Sequence, residues 1–241
     1  MRFLDTLGFL TRLAPARVIP EAEMSRCIGW MPAVGLVLGA AVALAPWLGL
    51  FAKAPWVQAW GMVALGVYLT RGFHHDGLSD ISDAVTTHGD PDRFWQVVKD
   101  SRSGAFGIMG LVLALGGQAV LFREMAVRDA FGAVVWTFVL GRAASVALAY
   151  GVHHLARPGL GRLYMTGATL RVALAAGAFA LVSGFFLAGP LATLAGMALA
   201  GLALVPLYRL AEHVRGANGD FLGCAVILGE LAAGLGFVLA L

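Results

Sequence analysis

Seven stretches of mostly apolar residues divide this chain, each about as long as a helix needs to be to cross a bilayer, at roughly 31–51, 56–73, 105–122, 130–150, 169–188, 190–208 and 222–241. Hydrocarbon offers no water to backbone amides, so only helices or closed barrels can occupy it. With 59% hydrophobic residues and a mean hydropathy of +0.81, the chain is expected to be all-α, a polytopic integral membrane helical bundle. Only Gly189-Pro190 separates the fifth and sixth runs, which makes them either a tight hairpin or one broken helix. Seven spans are therefore expected, within a range of six to eight, as a single membrane-embedded domain over 1–241.

The start does not read as a signal peptide, because the first long apolar run begins at Met31, after Arg2, Arg12, Arg17 and Arg26. Phe3, Leu7 and Leu10 fall at helical spacing, so residues 2–14 read as an amphipathic helix in the membrane interface, either a surface anchor or a contributor to a site. With seven spans, one set of loops carries Arg2, Arg12, Arg17, Arg26, Arg71, Arg93, Lys99, Arg102, Arg157, Arg162, Arg171, Arg209 and Arg215. The other set carries Lys53, Arg123 and Arg128, while Arg142 lies within a span. That bias puts the N-terminus and the polar loops in the cytoplasm, in a multi-pass protein of the inner membrane. The net charge of +3 is then a topology signal with some attraction for anionic lipid, and nothing suggests nucleic acid. Cys27 and Cys224 fall near the cytoplasmic edge, where thiols stay reduced, and show no zinc-ligand spacing. Gly35, Gly39, Gly234 and Gly236 read as helix-packing positions.

One substantial polar insertion, from His74 to about Gly104, interrupts the apolar runs. Six of the fourteen acidic residues lie between Asp76 and Asp100. If the second span continues as a helix, Asp76, Asp80 and Asp83 share one stripe at i, i+4 and i+7. Clustered carboxylates at a membrane edge need a counter-charge, and an oxygen-only donor set without cysteine fits Mg²⁺ or Mn²⁺. The alternative is a solvated acidic loop. Gly77 leaves room for a phosphate or a partner helix. Asp90-Pro91 reads as a helix start, opening a short amphipathic helix that ends near Arg102.

A second cluster, Lys99-Asp100-Ser101-Arg102-Ser103-Gly104-Ala105-Phe106-Gly107, leads into the third span, where a helix N-terminus and Arg102 suit a phosphate; the alternative is a positive-inside anchor. A third runs from Arg215 to Gly223 and holds Asn218, Gly219 and Asp220, with Glu230 deeper in the last span. An ionisable group at that depth is functional or paired, and Arg142 is the candidate partner. His74 can orient a carboxylate or accept a proton. His88, His153, His154 and His213 carry no distinctive spacing.

At these clusters the chain resembles the cobalamin synthase family, the adenosylcobinamide-GDP ribazoletransferases. Members carry T-G-G-L-H-x-D-G-L-A-D-T-A-D-G, matched here from Thr70 to Asp83. They also carry M-K-D-S-R-I-G-A-F-G, matched from Lys99 to Gly107, and a late G-x-T-G-D-x-L-G-A block, matched from Gly216 to Ala225. Phe9 to Leu13 and Trp30 to Gly35 also look like family blocks. Arg71, Ala84, Ser103 and Asn218 depart from the pattern. The resemblance implies transfer of the adenosylcobinamide-phosphate moiety from adenosylcobinamide-GDP to α-ribazole or its 5′-phosphate, with release of GMP. It further implies Mg²⁺, or Mn²⁺, on Asp76, Asp80 and Asp83, with Asp220 completing the metal shell or binding a ribose hydroxyl. Lys99, Ser101, Arg102 and Arg12 fall to substrate phosphate, and His74 or Asp100 to the base. Gly77, Gly104, Gly219, Glu230 and Arg142 support them. Implied partners are the corrinoid nucleotide and ribazole substrates, membrane lipid and other enzymes of the pathway.

Two other classes fit parts of the pattern. A CDP-alcohol phosphotransferase shares the metal–diphosphate logic but needs a D-x-x-D-G-x-x-A-R run, which is missing here. An ion-coupled transporter is expected to show an internal repeat and ionisable residues on several spans, and only Arg142 and Glu230 are clearly intramembrane.

Overall fold

The structure is a computed structural model and describes residues 3–87 and 89–241. Met1, Arg2 and His88 lie outside the described residues. The helices in order are α1 Phe3–Leu10, α2 Glu21–Met24, α3 Met31–Trp47, α4 Pro55–Thr70, α5 Phe73–Ala84, α6 Pro91–Val98, α7 Ala105–Val127, α8 Phe131–Val152, α9 Leu160–Met165, α10 Leu170–Leu187, α11 Pro190–His213 and α12 Gly219–Leu239. Each of the seven apolar runs becomes one of the helices α3, α4, α7, α8, α10, α11 or α12. Six helices among the described residues are long and apolar enough to cross a membrane. The seventh, α4, has 16 residues and so reaches only about 24 Å. Gly189, with φ 90°, and Pro190 make a hairpin, so the fifth and sixth runs are two helices. The chain is a multi-pass membrane protein.

The centre of the bundle is α8 against α12. Of their apolar windows 83% and 72% are buried, against 17% for the peripheral α10. Small residues allow this density. A Cβ at Gly35 would lie 2.3 Å from the Phe138 carbonyl oxygen, and one at Gly229 would meet the Cα of Gly141 at 2.8 Å. Chain reversals put the polar segments, α1, α5, α6 and α9, at one end of the bundle. Lys53, Arg123 and Arg128 fall at the other end, where Trp47 and Trp56 are exposed in the manner of an interfacial aromatic belt.

Three local outcomes differ from the expectation. The second span does not run into the acidic segment, because Arg71 and Gly72 both adopt left-handed backbone, φ 58° and 69°. The amide of Gly72 bonds back to the Val67 carbonyl, which closes α4 and sets α5 off in a new direction. The amphipathic N-terminal segment is shorter than 2–14 and docks on the bundle. In α1, Leu7 and Leu10 are buried while Leu4 faces out. Arg71 donates to the carbonyls of Gly8, Phe9 and Thr11, the unpaired acceptors at the end of α1. Finally, α6 begins as expected, with Asp90 Oδ1 accepting from the amides of Asp92 and Arg93, but stops at Val98. There Asp100 turns the chain by accepting from the Arg102 amide.

Candidate functional site

The acidic stripe lies on α5 where that helix crosses the start of α12. Gly77 is required at the crossing, since a Cβ there would lie 2.8 Å from the Asp220 carbonyl oxygen. A carboxylate 144 positions away thereby joins the stripe. Asp76 is exposed, while Asp80 and Asp220 are half-buried. Asn218 holds Asp220 by donating to Oδ2 at 2.6 Å and accepting from its amide. Burial, and after it the charges of Asp220, Asp76 and Asp83, push Asp80 up from 3.8 to about 7. The cluster is thus short of positive charge in a way that a divalent cation would correct.

Asp83 has a different engagement from its neighbours. Its carboxylate accepts from the amides of Gly104 at 2.7 Å and Gly107 at 2.8 Å, capping α7 from another helix. Gly104 and Gly107 are glycine because side chains there would strike that carboxylate. The N-terminus of the third span, expected to be open to phosphate, is therefore filled by Asp83. Arg102 and Asp100 pair with each other, at 2.7 Å between Nη2 and Oδ2, in an exposed turn. Those bonds hold Asp100 down to about 2, which makes it a poor proton acceptor at neutral pH. Lys99 and Ser101 are exposed beside them. Arg12 is not brought to the carboxylates: it donates to the Tyr68 carbonyl and lies 4.9 Å from the Tyr68 ring centroid.

Beneath the carboxylates runs a buried polar chain. Arg142 and Glu230 form the expected ion pair, and Gln118 donates to the other Glu230 oxygen at 2.6 Å. Gln118 Oε1 meets His75 Nε2 at 3.2 Å, and Arg142 Nη2 approaches His74 Nδ1 at 3.4 Å. Both histidines of the motif are therefore tied through side chains to one ion pair that α8 and α12 supply, His75 by way of Gln118 of α7. Gln118 was not singled out from sequence, as a lone amide in an apolar run carries no distinguishing pattern.

Two cavities flank the first turn of α5. One, of about 330 Å³, runs from His74 and Phe73 to Asp220 and Gly219, with Arg157 on its rim. The other, of about 540 Å³, is bordered by Arg71, Asp76, Ser79 and Ser103. Sequence reasoning also missed the segment 157–162, whose two arginines read only as topology signal. Arg157 donates its amide to the Ala217 carbonyl at 2.8 Å, and Ala217 donates to that of Leu155 at 2.9 Å. Gly161 presses so closely on Gly219 that a Cβ would come within 2.5 Å of its nitrogen. Only the Pro158-Gly159 turn signal, beside two arginines, could have flagged it.

Among the described residues no three His, Cys, Asp or Glu side chains close tightly enough to hold a metal ion by themselves. The donor chemistry nevertheless fits Mg²⁺. The carboxylates of Asp76 and Asp220 lie near enough to Asp80 to act on its charge, and Mg²⁺ is usually held by one or two carboxylates together with waters and substrate phosphates.

Fold and site together define a polytopic membrane protein whose half-buried carboxylate cluster and ligand-sized cavities open at its basic end. The sequence model of the cobalamin-5-phosphate synthase family matches residues 2–238, and the chain belongs to that family. An adenosylcobinamide-GDP ribazoletransferase of Nitratidesulfovibrio vulgaris (strain Miyazaki F) is 48% identical, over 97% of this chain and 93% of its own. Proteins of that name from Klebsiella pneumoniae (strain 342) and Leptothrix cholodnii are 34% and 36% identical, over 99% and 98% of this chain and 98% and 94% of their own. No solved structure matches.

Proposed function

We propose that the chain is an adenosylcobinamide-GDP ribazoletransferase that works as one membrane domain. It joins the adenosylcobinamide-phosphate moiety to α-ribazole or its 5′-phosphate and releases GMP. The observation that carries this reading is the meeting of Asp76 and Asp80 with Asp220 at the α5–α12 crossing, between two cavities, in a chain similar throughout to proteins of that name. The alternatives, a lipid phosphotransferase and a transporter, gain no support.

In this reaction a ribazole hydroxyl attacks the phosphorus nearer the cobinamide, and the bond to the GMP oxygen breaks. Charge gathers on phosphoryl oxygens, so positioning and neutralisation do most of the work. Asp76, Asp80 and Asp220 would hold Mg²⁺, or Mn²⁺, which would supply Lewis-acid neutralisation of the diphosphate. Lys99, Ser101 and Arg102 reach phosphate from the exposed turn once the Arg102–Asp100 pair opens. Arg157 faces the same chemistry from the rim of the smaller cavity. His74, with Nδ1 turned to Arg142, takes the hydroxyl proton on its other nitrogen, against burial and the Arg142 charge, which both lower its proton affinity. The active site faces the cytoplasm across the inner membrane, on the side that the basic residues mark.

Purified protein in nanodiscs, given adenosylcobinamide-GDP, α-ribazole phosphate and Mg²⁺, is expected to release GMP and form a corrinoid product. Asp80→Asn is expected to abolish GMP release while inserting normally. Substantial turnover by that variant would sink the metal-ligand role.

A further inference from the structure

We infer that the smaller cavity is the seat of the acceptor's base: it takes a planar, largely apolar heteroaromatic ring, and the Ser145 hydroxyl donates to that ring's one unsubstituted nitrogen. Its walls come from three parts of the chain. Phe9 of α1 and Tyr164 of α9 stack with centroids 5.6 Å apart and planes at 24°, giving an aromatic wall. Met31 and Leu222 add apolar surface, and Leu160 lies at the mouth. The polar lining comes mainly from Asp220, His74 and Arg157, next to the carboxylates. A ligand with an apolar flat end and a polar sugar end matches this division.

The exception is Ser145. It lines the cavity from α8, one turn beyond Arg142, is 0% exposed, and its Oγ has no hydrogen-bond partner. A hydroxyl in a helix ordinarily returns to a carbonyl one turn back, and Thr137 in this helix bonds to Val134. Leaving a buried hydroxyl unpaired is costly, so a ligand acceptor is the natural partner. Guanine would bring several donors and acceptors, more than the Ser145 and Tyr164 hydroxyls can satisfy on a wall otherwise made of Phe9, Met31 and Leu222. A benzimidazole-type ring, once joined to a sugar, brings a single acceptor nitrogen. At about 330 Å³ the cavity is also at the low end for ligand pockets, suited to a nucleoside and far too small for a corrin ring.

This inference rests on the transferase reading, but its test separates the two. Binding of α-ribazole and of its indole counterpart, in which the ring nitrogen is a C–H, is measured in nanodiscs without donor. The protein is expected to favour α-ribazole by about tenfold, and Ser145→Ala to bind both alike, as for loss of one well-made hydrogen bond. Tyr164→Leu is expected to weaken both ligands equally, by breaking up the aromatic wall. GMP binding should be indifferent to Ser145→Ala. An unchanged ligand ratio in Ser145→Ala would overturn the assignment, as would weakening of GMP instead, which would give the cavity to guanine. If Ser145-dependent binding is found but no GMP is released on adding adenosylcobinamide-GDP and Mg²⁺, the transferase reading fails and the base site stands. GMP release with no Ser145-dependent selectivity has the opposite meaning.

Discussion

At the scale of single residues, the decisive fact is that the carboxylates on α5 are not equivalent. Asp83 is spent on amides, Asp76 is exposed, and Asp80 carries the electrostatic load of the others. The folded protein keeps the Asp80 proton up to about pH 7, whereas an unfolded chain sheds it near 3.8. Between those values the folded state binds more protons, so this group's contribution to stability falls as pH rises from about 4 to about 7 and is level above. Under the proposed function a divalent cation would replace the proton, so its stabilising effect would grow over the same window. Thermal unfolding in EDTA and in Mg²⁺, scanned from about pH 5 to about pH 8, should show the two curves diverging with pH. Asp80→Asn should make them parallel; divergence that survives the substitution would point to another group.

At the scale of elements, the α4–α5 break and the α5–α7 cap fix the angle at which the stripe is presented. Arg71 occupies left-handed backbone where the resembling motif has glycine, at a cost of roughly 1–2 kcal/mol. Its guanidinium offsets this by binding three carbonyls at the end of α1. Arg71→Gly should therefore keep the turn yet release α1, seen as faster hydrogen exchange over residues 3–12 with α4 and α5 unaltered. Asp83→Ala should cost about 1–2 kcal/mol by uncapping α7, and the loss should be independent of Mg²⁺. A Mg²⁺-dependent loss would restore Asp83 to the metal's ligands. The α6 start was legible because Asp90-Pro91 is a local signal that needs no tertiary partner. The break at 71–72 was hidden because arginine gives no cue for positive φ. The cap by Asp83 was hidden because its amides lie 21 and 24 residues away.

At the scale of the whole molecule, hydropathy and the arginine distribution were enough to read the seven-helix bundle and its polar end, since both follow from the bilayer as solvent. Which polar groups meet depends on helix packing, so Asp220 joining the stripe was visible only as motif resemblance, and Gln118 and Ser145 not at all. The buried Arg142–Glu230 pair should behave as a unit. Arg142→Met or Glu230→Met alone should destabilise by about 3–5 kcal/mol, and the double substitution should recover most of that. Thermal unfolding in detergent would measure it, and additive losses would refute the coupling. The proposed orientation predicts that cysteine at Val85, but not at Lys53, reacts with a membrane-impermeant maleimide only in inside-out vesicles. Cys27 and Cys224 are buried and leave little background.

The α5–α12 crossing also bears on how the protein is made. Residues 76 and 220 meet only through the last helix, which also brings Glu230 to Arg142. Until that helix leaves the ribosome and inserts, the nascent bundle holds an uncompensated guanidinium in its middle, at about 2.5–3.5 kcal/mol on the insertion scale. It likewise lacks Asp220, the one carboxylate of the cluster that the last helix brings. The buried ion pair and the proposed active centre are therefore completed in the same late step, when the last helix packs.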